Sequence, residues 1–148
     1  MPYQRILVLQ SVDDEITHRR KMRMEHSPIL QNYAFDFCYA IDLTDEQKAL
    51  PMPLMMDKVE QSTIDEGDLL ERMSQKVLTF KPDLLIVHAG FVFRRFPEEM
   101  LSALNALKTR FPDLDMAIES RGRFAQQSEF SAIFESSTEI SMLVDQIF

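Results

Sequence analysis

Glycine is scarce in this chain, with only three among 148 residues: Gly67, Gly90 and Gly122. A dinucleotide-binding fold needs a glycine-rich turn after its first strand, because the backbone there approaches the pyrophosphate closely. The corresponding stretch, residues 9–14, reads Leu-Gln-Ser-Val-Asp-Asp and holds no glycine. A Walker-type phosphate loop is absent as well. The sequence therefore disfavours NAD, FAD and P-loop nucleotide chemistry, and it predicts no cofactor.

Cysteine and long apolar runs are also scarce. Cys38 is the only cysteine, so no internal disulfide forms, and we expect an inert core thiol. No apolar run approaches the roughly 20 residues that a membrane-spanning helix needs. Residues 1–5 show no signal-peptide pattern. We therefore expect a cytoplasmic protein with no membrane association.

Positive charge is in the minority, since 16 basic residues stand against 24 acidic ones for a net charge of −8. Nucleic-acid binding needs a basic face that neutralises phosphates, so the balance argues against a nucleic-acid partner. One basic cluster, residues 18–23, departs from this balance. It allows two interpretations: a solvated helix face, or a patch that binds an anion or a partner protein.

Strand-like and helix-like segments alternate along the chain. The strand-like segments are short, apolar and rich in branched or aromatic residues, and they are residues 5–9, 35–41, 84–87, 115–119 and 131–134. The helix-like segments show apolar side chains at helical spacing or acids in a first turn, and they are residues 13–26, 68–79, 97–110 and 136–148. Ser137 or Thr138 is the expected N-cap of the last helix.

This alternation predicts an α/β fold with a parallel sheet covered on both faces. Right-handed crossovers leave few topologies for five such strands. The prediction is a doubly wound, five-stranded parallel sheet in the flavodoxin-like order 2-1-3-4-5. No repeat or flexible linker interrupts the pattern, so residues 1–148 are expected to form one domain.

Residues 42–66 carry the weakest pattern. Within them, residues 50–56 form an apolar run that Pro51 and Pro53 interrupt. Proline removes a backbone donor and clashes in a helix interior or a central strand, so we predict a non-helical segment. Two interpretations remain: a loop packed over the core, or an exposed Met-rich patch that docks a partner.

Three segments of the second half share a pattern with one protein family. Residues 81–87, Lys-Pro-Asp-Leu-Leu-Ile-Val, look like the third strand of the receiver domain of two-component response regulators. Residues 111–113, Phe-Pro-Asp, resemble the approach to its fourth strand, and Phe134-Glu135 before an amphipathic helix resembles its ending. The resemblance covers the whole chain in element order and about half of it in residue pattern. It implies a regulatory, signalling domain.

The residues of receiver phosphorylation do not carry over with this resemblance. The third strand ends in His88, where the family has its phospho-accepting aspartate, and Glu135 stands near the place of its lysine. Asp13 and Asp14 come about three residues later than the family's Mg²⁺-binding acids. Ser120 is the candidate for its hydroxyl residue. We therefore expect a pseudo-receiver that is not phosphorylated on aspartate.

A second likeness concerns residues 5–42. Residues 6–9, 19–22 and 35–42 are similar to the opening of lipooligosaccharide-type glycosyltransferases. That family holds its metal with an acidic D-x-D motif after a later strand, whereas the candidate strand here ends in His88-Ala89-Gly90. The resemblance implies a degenerate glycosyltransferase-like domain as an alternative.

Polar side chains follow several of the predicted strands. The carboxyl ends of parallel strands meet at one edge of a sheet, where α/β proteins bind their ligands. His88 and Glu119 end neighbouring strands, so they are the alternative catalytic acid–base pair. Asp13 and Asp14, with Glu119, are the alternative Mg²⁺ site. A structural role is the competing interpretation for each of these residues.

Arginines and phenylalanines follow the same strands. The predicted ligands for a phosphate or carboxylate are Arg94, Arg95, Ser120, Arg121 and Arg123. Phe91, Phe93 and Phe96 alternate with the first two arginines, a composition enriched at protein interfaces, although two of these rings are equally suited to cover the core.

Two function hypotheses result. The first is a non-catalytic, receiver-like interaction domain that binds a protein partner and forms a homodimer, through residues 91–96 or the last strand and helix. The second is a small-molecule-binding or enzymatic domain with its site at the carboxyl ends of the strands.

Overall fold

The computed structural model describes residues 3–119 and 133–148 of the chain. Its centre is a sheet of parallel strands in the order β2-β1-β3-β4. The strands are β1 (Arg5–Gln10), β2 (Ala34–Tyr39), β3 (Leu84–His88) and β4 (Asp115–Glu119). Strands β1 and β3 lie in the middle, which explains why their apolar runs are continuous and fully buried. The predicted parallel α/β architecture is confirmed.

Helices cover the sheet between the strands. Within the described residues they are α1 (Glu15–Glu25), α2 (Asp45–Lys48), α3 (Met52–Gln61), α4 (Glu66–Phe80), α5 (Phe91–Arg95), α6 (Pro97–Arg110) and α7 (Thr138–Ile147), with a 3₁₀ turn at Leu30–Asn32. Ser137 is the N-cap of α7, as predicted, since its hydroxyl accepts a hydrogen bond from the Ile140 amide at 3.1 Å. No helix in this part of the chain is long and apolar enough to cross a bilayer.

Two hydrophobic cores lie on opposite faces of the sheet because alternate side chains of a strand point to opposite faces. Leu7, Leu9 and Leu85 belong to the core that α3, α4, α5 and α6 cover. Ile6 and Val8 belong to the second core, which α1 and α7 cover. The sheet is therefore doubly covered, as the continuous apolar strands predict.

The fifth predicted strand, residues 131–134, lies partly outside the described residues. Phe134 forms a single parallel bridge with Met116 of β4, and the Glu135 amide donates to the Met116 carbonyl at 2.7 Å. The chain at residues 134–135 therefore runs beside the outer edge of β4. This contact is a single bridge, and the sheet has four strands within the described residues. Glu135 therefore lies level with the middle of β4 and not at the carboxyl edge of the sheet.

Helix α3 corrects the expectation for residues 50–56. Pro51 is the N-cap of this helix and Pro53 lies in its first turn, where no intrahelical donor is needed. Met55 and Val59 are buried against the sheet, whereas Leu54 is 52% exposed. The segment is therefore an amphipathic helix rather than a loop.

Few apolar residues occur in the sequence of α1, namely Ile16, Met22 and Met24. Ile16 and Met22 are 56% and 49% exposed, whereas Met24 is buried. Thr17 is the other buried residue of this helix. The Thr17 hydroxyl donates to the Val12 carbonyl at 3.0 Å, which satisfies this buried polar group.

Candidate functional site

Three strands end side by side at the carboxyl edge of the sheet. β1 ends at Gln10, β3 at His88 and β4 at Glu119. His88 and Glu119 are partners in the parallel register, and Gln10 is 3% exposed. Polar side chains in such positions need partners, because an unpaired buried polar group costs about 1–3 kcal/mol.

His88 and Glu119 contact each other, as the sequence predicted. His88 Nε2 lies 3.3 Å from Glu119 Oε2, and the Glu119 side chain is only 7% exposed. The ring of Phe148 stacks on the His88 imidazole at a centroid distance of 4.8 Å and an angle of 11°. The imidazole is therefore held on two sides, by a buried carboxylate and by an aromatic ring. A catalytic role for this pair stays a prediction.

Arg20 of α1 completes this cluster, although the sequence singled it out only as a member of the basic cluster at residues 18–23 and not as part of the strand-end site. Its guanidinium donates from Nη1 to Gln10 Oε1 and lies 4.6 Å from the centroid of the Phe148 ring. Burial lowers the pKa of Arg20 and the charge of Arg23 adds to this, while Asp14 and Glu119 act in the opposite direction. The signal was its spacing: Arg20 lies on the same helical face as the buried Thr17 and Met24.

Asp13 and Asp14 have structural partners. Asp14 is the N-cap of α1, and its carboxylate accepts from the Thr17 amide at 2.9 Å. Asp13 Oδ2 lies 3.5 Å from Lys48 Nζ. Residues 3–119 and 133–148 contain no group of three or more His, Cys, Asp or Glu side chains that could hold a metal ion. The alternative Mg²⁺ site at these two residues and Glu119 is therefore wrong, because the three carboxylates do not converge.

The predicted anion site is described only in part. Arg94 and Arg95 are exposed at the end of α5. The Arg95 guanidinium lies 5.8 Å from the centroid of the Phe91 ring and 5.4 Å from that of Phe96. The remaining members of the site, Ser120, Arg121 and Arg123, lie outside the described residues. The proposed clamp between the two groups stays a prediction.

A cleft of about 210 Å³ opens between α1 and α3 above the strand ends. Its polar lining includes Asp14, Arg20 and His88, and its apolar lining includes Met52 and Met56. The cleft combines an arginine and an imidazole with an adaptable apolar wall, which is a chemistry suited to a small anionic molecule.

Gly90 shapes the floor of this cleft. A Cβ at Gly90 would lie 3.1 Å from His88 Nδ1 and 3.3 Å from Ser11 Oγ, which is tighter than ordinary contacts. The same Ser11 hydroxyl accepts from the Val92 amide at 3.2 Å and so ties the start of α5 to the end of β1. The glycine is present because the turn passes close to two side chains.

The predicted interaction surface requires one correction. Phe93 is 1% exposed and belongs to the core, so it is unable to contact a partner. Phe91 and Phe96 are partly buried against the same core and keep part of their rings at the surface. Because α5 turns residues 91–95 into a helix, only one of the three rings faces fully inward.

Comparison of the chain with family models, with curated proteins and with solved structures gives no match.

Proposed function

We propose that this chain is a receiver-like regulatory domain that acts by docking a protein partner, without catalysis and without aspartyl phosphorylation. The sheet order β2-β1-β3-β4 supports this proposal. We place the fifth strand beside β4, where Phe134 bridges Met116, which completes the order 2-1-3-4-5. The buried Cys38 thiol fits the reducing cytoplasm as its compartment.

The proposal depends most on which residue stands at the carboxyl end of β3. Aspartyl phosphorylation of the receiver type requires a carboxylate nucleophile at this position. The position holds the His88 imidazole, fixed between the Glu119 carboxylate and the Phe148 ring. Asp13 and Asp14 are engaged with Lys48 and with the start of α1. Acceptor and metal ligands are thus both lacking in the described part of this edge.

The docking surface we propose consists of Phe91, Arg95 and Phe96. The two rings are partly exposed, and the arginine lies over both of them. Aromatic residues and arginine dominate the energetics of protein interfaces. A second copy of the chain is the simplest partner, because a twofold dimer buries the same patch on both subunits.

Light scattering of wild type and of the Arg95→Glu variant tests this surface. We expect a wild-type dimer, whose interface would bury about 800 Å² on each subunit, and a monomeric variant. Arg110→Glu at the end of α6 is the matched control and should leave the dimer intact. A monomeric wild type at high micromolar concentration would refute the homodimer, and a dimeric Arg95→Glu variant would discard the surface.

A second candidate function is the binding of a small phosphate or carboxylate in the cleft between α1 and α3. Arg20 favours it, because this cation lines the cleft and is half-buried. The buried Gln10 also lines the cleft, and its Nε2 has no hydrogen-bond partner among residues 3–119 and 133–148. A ligand oxygen would satisfy such donors.

Thermal-shift measurements with phosphate, nucleotides and phosphosugars, each with and without Mg²⁺, separate the two functions. The regulatory proposal expects no saturable shift with any of these compounds. A saturable shift that Arg20→Gln abolishes, while the exposed Arg19→Gln keeps it, would favour the second candidate. The Arg19 side chain is 74% exposed and makes an ion pair within its own helix, so it is a suitable control.

A further inference from the structure

Strand β2 is an edge strand with an aromatic sequence. It pairs with β1 on one side, and within the described residues no strand pairs with its other side. Phe35 and Phe37 lie on the same face and pack only partly into the core. An edge strand of this length with partly exposed aromatic side chains is a template for sheet extension by another chain.

The hydrogen bonds to β1 show which backbone groups of β2 face outward. The Ala34 amide donates to the Gln4 carbonyl at 2.9 Å, and the Ala40 amide donates to the Gln10 carbonyl at 2.8 Å. Because backbone direction alternates along a strand, the amide and carbonyl groups of residues 35, 37 and 39 point away from β1. These are the groups that a further strand would use.

Two charged side chains, which we name the edge pair, occupy part of this outward row. Asp36 Oδ1 accepts from the Phe37 amide at 2.8 Å. Arg72 of α4 donates from Nη1 to the Tyr39 carbonyl at 2.5 Å. The edge pair therefore satisfies two groups that would otherwise be available to a second chain.

Helix α4 holds both members of the edge pair in place. Lys76 Nζ lies 2.9 Å from Asp36 Oδ2, and Arg72 Nε lies 2.9 Å from Asp68 Oδ2. Arg72 also donates from Nη2 to the Ala40 carbonyl at 3.0 Å. A side chain with several hydrogen-bond partners loses more interactions when it moves than a solvated side chain does. The edge pair therefore resists displacement from β2.

The charges beside β2 match a second copy of the chain in antiparallel pairing. Lys21 Nζ lies 4.7 Å from the centroid of the Phe37 ring and 5.4 Å from that of Tyr39. Glu25 lines the hollow beside Phe35 on the same face. A twofold axis at Phe37 places Phe35 opposite Tyr39, so each Lys21 faces Glu25 of the other copy.

On the opposite face of β2, side chains of opposite charge would also meet across this twofold axis. A groove of about 480 Å³ between β2 and α4 is lined by both Lys76 and Glu71. Lys76 lies at the level of Asp36, and Glu71 precedes the arginine that contacts Tyr39. The same twofold axis brings Lys76 of one copy towards Glu71 of the other.

We propose that the β2 edge is a surface fitted to a second copy of this chain, and that Asp36 and Arg72 keep it closed to sheet extension. Removing the edge pair frees the Phe37 amide and the Tyr39 carbonyl. Two copies then pair through their β2 strands into one continuous sheet. The pairing is twofold and uses one β2 edge of each chain, so monomeric chains stop at a pair.

Light scattering of an Asp36→Ala/Arg72→Ala variant at high micromolar concentration tests this proposal against wild type. We expect the weight-average mass at least to double relative to wild type, because a monomeric wild type would give a pair of chains and a wild-type homodimer, which offers two β2 edges, would give a larger assembly. Arg19→Ala is the matched control, because it removes the 2.7 Å ion pair of Arg19 with Glu15 on α1, and Arg19 contacts no backbone group of β2. Its mass should equal that of wild type. If the double variant does not fold, Asp36→Ala alone decides.

The route of association is tested by one added substitution and by amide exchange. Phe37→Lys in the double variant should restore the wild-type mass, because two lysines would meet at the twofold axis. Slow amide exchange at residues 35 and 39 should appear only in the associated variant, whereas the Phe37 amide is hydrogen-bonded to Asp36 in wild type and does not serve as a reporter. A folded variant with wild-type mass would overturn the proposal. So would slow exchange at residues 35 and 39 in wild type, since the edge would then already be paired.

Discussion

At the scale of single residues, the carboxyl edge of the sheet shows which contacts can be predicted from the sequence and which cannot. His88 and Glu119 were predictable as a pair, because each ends a strand and parallel strands end together. Arg20 was not, because it lies within a run of basic residues whose charges suggest a solvated face. Only the position of α1 against the sheet shows that one arginine of the run turns inward.

Replacing His88 by alanine should destabilise the protein. The Glu119 carboxylate is 7% exposed and would lose the imidazole at 3.3 Å. We expect a loss of about 1–3 kcal/mol in the free energy of unfolding, measured by urea denaturation. His18→Ala on the exposed face of α1 is the control, with a change within about 0.5 kcal/mol. Equal effects of the two substitutions would show that His88 is not holding a buried charge.

Cys38 should make stability depend on alkaline pH. Burial raises the pKa of its thiol from 9.0 to about 12. Below about pH 9 the thiol is protonated in both states, so its contribution is fully present. As pH rises towards about 12, the unfolded state loses this proton first, and stability therefore falls.

Urea denaturation at about pH 8 and about pH 10 measures how steeply the free energy of unfolding falls with rising pH. Cys38→Ala should be less dependent on pH than wild type over this range, even if it is less stable at neutral pH. If the free energy of unfolding falls equally with pH in both proteins, the loss at alkaline pH is due to other groups. Tyr39 is one such group, because burial also raises its pKa.

At the scale of elements, α3 shows the limit of proline as a signal. Pro51 and Pro53 suggested an irregular segment, yet a helix begins between them. A proline in the first turn needs no donor, so the two residues mark a helix start and not its absence. The central strands β1 and β3 were easier to predict, because their apolar runs are buried on both faces and have no polar alternative. Helix α5 was missed because five residues carry too little periodicity.

Two neighbouring substitutions test the helical face of α3. Met55 is 4% exposed, whereas Leu54 is 52% exposed. Met55→Ala should cost about 2–4 kcal/mol in the free energy of unfolding, because it leaves a cavity beneath the helix. Leu54→Ala should change this free energy by less than about 0.5 kcal/mol. The reverse order in urea denaturation would contradict the packing of α3 on the sheet.

At the scale of the whole molecule, alternation of strands and helices was sufficient to predict a parallel, doubly covered sheet with β1 and β3 inside. The position of a fifth strand depends on residues beyond the bridge at Phe134. Oligomeric state was not predictable, because it depends on which partly exposed side chains meet a second copy. Sequence named Phe93 for that surface, and folding buried it.

Our central proposal is that this domain works without aspartyl phosphorylation. Intact-mass spectrometry of the pure protein after incubation with acetyl phosphate and Mg²⁺ tests it most directly. We predict an unchanged mass, because β3 ends in His88 and the described residues hold no convergent set of metal ligands. A phosphoryl adduct that hydroxylamine removes, as it removes acyl phosphates, would contradict the account.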